Sequence, residues 1–308
     1  MAPQSVVALR HVREDELDAL KARLARHLPH SVVVYGGLSL AARYGLHSFR
    51  PASILVPVGP RPSCLTIIAP IGSGDTQCIE VFWSPEEHTV KDVAQYLSLI
   101  PDLDWSQPQA LIGFPRILLP ALQSLDSIGG RRVQVHLKHE GHVYNLEAPA
   151  IIGTKLPPAY HMSSLNEDEA SVVWTNWEFN FLDSEDNIRH DIAHFPSIGI
   201  RERSLTESAG SLQEAAKETL VSWIRTTKNG WMGNTFTLPH HRRRSLASRA
   251  TLALARQMLQ EGFFAIVAIE DINTASVKFH ESLGFKRQCA IAVVVLVPAE
   301  TTGQDYLE

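Results

Sequence analysis

Cysteine is scarce in this chain. Three residues among 308, Cys64, Cys78 and Cys289, stand apart with no CxxC spacing. An odd, scattered set argues against a disulfide framework and a thiolate zinc site, and fits a reducing compartment. Long apolar runs are missing too. The longest, about Cys289 to Val297, is far short of the ~20 residues a spanning helix needs, so no membrane partner is expected. Excess positive charge is also absent: the formal net charge is −5 and the pI about 6.3. A nucleic-acid footprint spread over the whole surface is thereby excluded. The N-terminus lacks an apolar signal segment, and Glu14, Asp15, Glu16 and Asp18 are too acidic for a transit peptide. A soluble intracellular protein follows as the expectation.

Hydrophobic residues make up 44% and charged residues 20%, enough apolar content for an ample core. At about 150 residues per domain the length suggests two domains. The stretch Glu147 to Pro158 carries Pro149, Gly153, Pro157 and Pro158, which sets the boundary there. The expected units are an N-terminal α/β domain (1–150), a second domain (155–300) and a tail (301–308).

In the first unit, Leu17, Leu20, Leu24 and Leu28 recur at helical spacing and Pro29 stops them. Ser31 to Tyr35 reads as a strand closed by Gly36-Gly37, with further strands at about 54–58, 65–69 and 79–83. Helices are expected at 90–99 and 117–125, and a half-buried strand through Val133, Val135 and Leu137. His136, His139 and His142 follow at a spacing that does not aim three ligands to one side of a strand, so they read as a solvated face rather than a metal site. In the second unit, helices at 166–176 and 187–194 precede a strand at 197–201. A polar insertion at 202–219 leads to a hairpin turning at Asn229-Gly230. Helix 243–261, strand 263–269, helix 273–283 and strand 288–297 complete it. Such alternation marks an α/β or α+β sheet domain. No internal sequence repeat is visible.

Charge concentrates in one place. Between Ser222 and Gln260 stand Arg225, Lys228, Arg242, Arg243, Arg244, Arg249 and Arg256, and no acid. The tightest part, His240 to Arg244, lies between a strand end and a helix start. There backbone N–H groups are unpaired and the helix dipole is positive, so the site suits an anion. Arginines at a helix N-terminus oppose the dipole, a conflict that a phosphate would remove.

The run Thr237 to Ala247 resembles the acyl-CoA pyrophosphate loop of the GNAT superfamily of N-acyltransferases. Asn273 to Phe285, with Phe279-His280-Glu281-Ser282-Leu283-Gly284-Phe285, resembles that superfamily's last helix. Leu28 to Gly36, Trp177 to Pro196, Val221-Ser222-Trp223 and Thr237-Leu238-Pro239 resemble stretches of the glycine N-acyltransferase family. The resemblance implies an α+β fold: a C-terminal GNAT-type, mostly antiparallel sheet flanked by helices, after a GNAT-like N-terminal α/β domain. It implies acyl-CoA as co-substrate, no metal, and glycine or a similar small amine as acceptor. It also implies that Arg242, Arg243, Arg244, Ser245, Leu246 and Ala247 cradle the pyrophosphate. Thr237 and Leu238 would offer backbone to the pantetheine arm, Asn273 and Ser276 would face the CoA, and His280 would take the slot of the tyrosine acid. The plain alternative for His280 is a histidine packed on its helix face. Members of the family are mitochondrial, which sets a mitochondrial location beside a cytoplasmic one.

Three positions depart from the pattern. Arg243 and Ser245 stand where glycine is common. Trp231 stands where glycine N-acyltransferases carry the glutamate proposed as base, and an indole cannot accept a proton. Another group must then serve (a water chain, His240 or His241), or the amine deprotonates before binding, or the chain is an acyl-CoA-binding pseudoenzyme with weak or no turnover. Acylation of protein amines is a third reading. Oligomeric state is not legible.

Overall fold

The computed structural model describes residues 7–49, 51–59, 62–71, 77–148, 156–180, 183–203 and 218–299. The expected tail, most of the 202–219 insertion and part of the 147–158 boundary lie outside the described residues.

The first half runs β1 (Leu9–His11), α1 (Leu17–Ala25), α2 (Val32–Tyr44), β2 (Ser53–Pro57), β3 (Thr66–Ile71), β4 (Gln77–Phe82), α3 (Val90–Leu97), β5 (Gln109–Pro115), α4 (Leu119–Gln123), β6 (Ser127–Ile128) and β7 (Arg131–Leu146). The second runs β8 (Tyr160–Ser163), α5 (Ala170–Thr175), α6 (Glu185–His194), β9 (Ser197–Arg203), β10 (Glu218–Thr226), β11 (Met232–Thr237), α7 (Leu246–Gln260), β12 (Ala265–Glu270), α8 (Thr274–Ser282) and β13 (Lys286–Pro298). Apart from the two-residue β6, both halves follow one order: strand, two helices, three strands, helix, strand, helix, strand. The α+β class and the mostly antiparallel sheet flanked by helices agree with the expectation.

Strand order ties the halves together. A nine-stranded sheet runs β1-β2-β3-β4-β5-β13-β7-β12 with β6 on β7, and a four-stranded sheet runs β11-β10-β9-β8. β4 and β5 are the one parallel pair among the described strands. β7 and β13 pair from Lys286↔Asn145 to Pro298↔Val133. Beyond that, β7 pairs with β12 of the second half, and β13 pairs with β5 of the first. Each half thus ends in a strand that completes the other.

The Ser31–Tyr35 segment, read above as a strand, belongs to α2, and this reading is corrected. Val32, Val33, Val34, Gly36, Gly37, Leu38, Leu40 and Ala41 are all buried. A helix covered on every side shows no apolar stripe, and its three valines then read as β. Gly36 and Gly37 do not stop the chain. A Cβ on Gly36 would lie 2.1 Å from the Asn229 carbonyl oxygen, and one on Gly37 would lie 3.1 Å from that of Lys228. The two glycines let α2 touch the backbone of the β10–β11 turn. β5 and β8 had no sequence signal strong enough to stand out. Their residues are short runs without alternation, and β5 is buried along most of its length.

Gly36→Ala puts a methyl group into backbone that cannot step aside. We expect it to lower unfolding free energy by about 1–3 kcal/mol, measured by urea denaturation of the full chain; an unchanged midpoint would show that α2 is free to shift.

Candidate active site

β11 and β12 stand in corresponding places to β4 and β5, but they share no ladder. A cavity of about 340 Å³ opens where they part, bordered by Met232, Gly233 and Asn234 on one side and Ala268, Ile269 and Glu270 on the other. In the first half that gap is closed, because Gln77 to Ile79 pair with Gln109 to Leu111. β11 is also bulged. Its register against β10 moves from Arg225↔Gly233 to Trp223↔Phe236, one residue more on β11 than on β10. Asn234 takes φ +54° in that bulge. Bulges turn backbone groups out of the ladder and re-aim them.

Trp177, Phe179 and Trp231 supply aromatic wall. At one end lie Asp183, Asp191, Arg225 and Lys228. Arg225 Nη1 donates to Asp191 Oδ2 at 2.7 Å, and Lys228 Nζ stands 3.7 Å from Oδ1. These side chains are 2%, 2% and 6% exposed. Burial pushes the Asp191 carboxyl up, against the pull of Arg225 and Lys228. Among the described residues Lys228 Nζ has this ion pair and no hydrogen bond, which leaves donors for a ligand. Arg225 and Lys228 therefore leave the basic run and become interior charges. Trp231 Nε1 and Asn234 Nδ2 are buried on the cavity without a hydrogen-bond partner among the described residues. Unmet donors converging on one cavity are the usual mark of a ligand site.

The other end holds His139, Glu140 and Glu270. His139 Nδ1 lies 3.3 Å from Glu270 Oε1, with side chains 33% and 26% exposed. Arg116 Nη1 pairs with Glu140 Oε1 at 2.9 Å. This corrects the solvated-face reading of the three histidines. His136 does remain exposed, beside Gln134. His142 Nδ1 lies 2.6 Å from Asp271 Oδ1, and His139 faces the cavity. The register shift between Val293 and Val294 inserts an extra residue into β7 just before His139. That bulge breaks the two-residue alternation on which the reading relied.

The basic loop starts α7. Arg242 Nε donates to the Thr237 carbonyl at 3.1 Å, and its guanidinium lies 5.6 Å from the Phe236 ring centre. Arg244 donates to the Tyr160 hydroxyl and lies over that ring. Arg243 and Ser245 have φ of +61° and +56°, the left-handed region that glycine favours. The chain keeps the glycine conformation at the two positions where it lacks the glycine. Leu246 is the first α7 residue and is buried, with Ala247 half-buried behind it.

Thr237 Oγ1 bonds Ser222 Oγ at 2.7 Å, and the Leu238 N–H is taken by the Val221 carbonyl at 2.9 Å. Asn273 Oδ1 accepts the Ser276 N–H at 3.0 Å and so caps α8. His280 is buried between Phe279 and Phe285 and does not border the cavity. Its Nδ1–H donates to the Ser276 carbonyl at 2.9 Å. Nε2 is buried without a hydrogen-bond partner, and burial pulls the imidazole down. In the neutral ring that nitrogen accepts rather than donates.

Sequence reading missed Asp191, Lys228, Asn234, His139 and Glu270 as a group. They come from α6, the hairpin, β7 and β12, and no local pattern joins them.

The model of the family described as FR47-like protein matches residues 208–293. Among solved structures, a Drosophila protein superposes with a TM-score of 0.68 at 16% identity, over 95% of this chain and 99% of its own. A tandem GNAT protein from the clavulanic acid biosynthesis pathway gives 0.51 at 14% identity, over 97% and 100%. A GCN5-related N-acetyltransferase from Sphaerobacter thermophilus gives 0.50 at 11% identity, over 95% and 96%. The chain has the fold of GNAT acetyltransferases, in the doubled arrangement that the tandem protein shares.

Left-handed backbone at a residue other than glycine costs roughly 1–2 kcal/mol, part of which glycine returns as chain entropy. Ser245→Gly should therefore raise unfolding free energy by about 0.5–1 kcal/mol, read from the thermal midpoint. A fall instead would mean that the Ser245 side chain stabilises the loop by more than its backbone strain.

Proposed function

We propose that this chain transfers an acyl group from acyl-CoA to the amino group of glycine or a similar small amine carrying a carboxylate. The observation that carries the reading is the parting of β11 and β12 over a cavity, beside a bulged strand and a basic helix start. In this reading residues 155–300 hold the acyl-CoA. Arg242 to Ala247 bind its pyrophosphate, with the α7 N-terminus supplying N–H donors and Arg242 and Arg244 supplying charge. The thioester carbonyl faces the β11 bulge, where backbone N–H groups stabilise the charge that builds on oxygen. The acceptor carboxylate goes to Lys228.

The base that Trp231 cannot supply is His139. Facing Glu270, its Nδ1 keeps the ring proton and Nε2 takes the one from the attacking amine. β7 brings this base from residues 1–150, so neither half is complete alone. The amine nitrogen bonds to the thioester carbon, the carbon–sulfur bond breaks, and the electron pair leaves on sulfur. An alkyl thiol ionises near pH 8.5, so the thiolate leaves with little help. The role assigned to His280, acid for that thiolate, requires a proton on Nε2, which burial opposes.

Calorimetric titration with CoA, acetyl-CoA, benzoyl-CoA and a longer acyl-CoA should give saturable binding. Replacing Arg242 or Arg244 with alanine should weaken it roughly tenfold, the size of one charge-assisted hydrogen bond. Unchanged binding would remove the phosphate site from this loop.

With the best donor, thiol release should proceed with glycine and fall for an amine lacking a carboxylate, such as ethylamine. His139→Gln should cut kcat by about 10²–10⁴ near neutral pH and leave CoA binding alone. The deficit should shrink as pH rises and the amine loses its proton unaided. Binding without turnover by the wild-type chain would favour an acyl-CoA-binding protein instead.

A further inference from the structure

Outside the cavity lining, the first half gathers three side chains that the sequence keeps apart. His27 lies in the turn after α1, Cys64 just before β3, and Glu87 in the turn between β4 and α3. One ligand atom from each, an imidazole nitrogen, Sγ and a carboxylate oxygen, lies within 4.8 Å of the other two.

Their surroundings prepare them for a cation. The Cys64 sulfur accepts the Ser84 N–H at 3.1 Å; burial and the adjacent Glu87 carboxylate push the thiol up to about 12, so an ion entering here displaces the thiol proton. Glu87 Oε2 is held by the Cys64 N–H at 2.8 Å and the Ser63 hydroxyl at 3.2 Å, which aims the carboxylate. The His27 ring stacks at a tilt on Phe82, 5.5 Å between centres, and its nitrogens have no hydrogen bond among the described residues. Outer-shell bonds of this kind fix metal ligands in place. Two further groups stand beside the cluster. His88 Nε2 lies 2.7 Å from Ser63 Oγ, and Arg23 Nε donates to the Ser63 carbonyl at 3.3 Å. Both are engaged with Ser63.

We propose that His27, Cys64 and Glu87 form a site for a divalent transition metal of the zinc class, with solvent in the fourth position. A thiolate, a carboxylate and a neutral imidazole carry two negative charges, which one such ion balances. Sulfur, nitrogen and oxygen donors together suit zinc rather than calcium or magnesium. Donors at zinc bond lengths of about 2.0–2.3 Å sit roughly 3.3–3.8 Å apart in a tetrahedron. The cluster must then close by about 1 Å at its widest. Cys64 is fully buried and fixed, whereas Glu87 is exposed and His27 half-buried, so the last two supply the movement. Spacing along the chain could not reveal this set, because no two ligands share a short motif. The site stands or falls independently of acyl transfer.

The full chain, stripped with a chelator and dialysed, would be titrated with Co²⁺ and followed by absorption. One equivalent should produce a near-ultraviolet thiolate-to-metal band and the visible bands of four-coordinate cobalt, and Zn²⁺ should displace both. Cys64→Ser should abolish the near-ultraviolet band, and His27→Asn or Glu87→Gln should weaken binding at least tenfold. Should Cys64→Ser fail to fold, the His27→Asn variant with a native circular dichroism spectrum decides the matter. A titration without a thiolate band, or one equally strong in that variant, overturns the site.

Discussion

The pairing of β7 with β13 holds the molecule together. These two strands run side by side from Lys286↔Asn145 to Pro298↔Val133, and each then pairs outward with the half it does not come from. Remove either strand and both halves lose a ladder. The buried residues follow the same logic: Val294, Val295 and Leu296 of β13 share one core with Leu111 and Phe114 of the first half. The core is therefore continuous across a chain whose element order repeats. The exchange also explains why the site is composite. His139 reaches the cavity because β7 crosses, and Ile291 to Val293 border it because β13 crosses back.

How legible this was depended on distance along the chain. The loop from Thr237 to Ala247 is local, and its two left-handed residues stand where the superfamily's glycines would be. Its shape is legible in eleven consecutive residues. The doubled architecture is expected from the resemblance, which implies a GNAT-like N-terminal domain; residue patterns alone do not carry it, because it is a repetition of order with no repetition of residues. α2 is hard to read for a physical reason: Val32, Val33 and Val34 lie in a stretch of helix buried on every side, so no apolar stripe offsets their β propensity. His139 is not legible as a cavity residue, because a bulge that only the partner strand reveals breaks the alternation of β7.

The two halves also differ in an instructive way. In the first, β4 and β5 remain paired over Gln77 to Ile79. In the second, β11 and β12 separate and the cavity lies between them. The first half's corresponding helix, α3, opens with Thr89 accepting the Asp92 N–H and Asp92 accepting the Thr89 N–H in return. That capping box satisfies the donors an anion would need, and Asp92 adds negative charge. α7 opens on Ser245 with no side-chain cap and arginines alongside. One half closes both the strand gap and the helix start, and the other leaves both open.

The charged end of the cavity is where this opening costs most. Asp191, Arg225 and Lys228 are nearly removed from water, and a buried ion pair seldom repays its own desolvation in stability. A chain selected for stability alone would fill that space with apolar side chains. Here Gly36 and Gly37 of α2 give up side chains so that the backbone at Lys228 and Asn229 can close against the helix. The close approach fixes the hairpin turn, the turn fixes Lys228, and Asp191 takes only part of its bonding capacity. Lys228 is held rigidly beside Asp191 and keeps N–H donors unbonded among the described residues, on the same cavity as the unmet donors of Trp231 and Asn234.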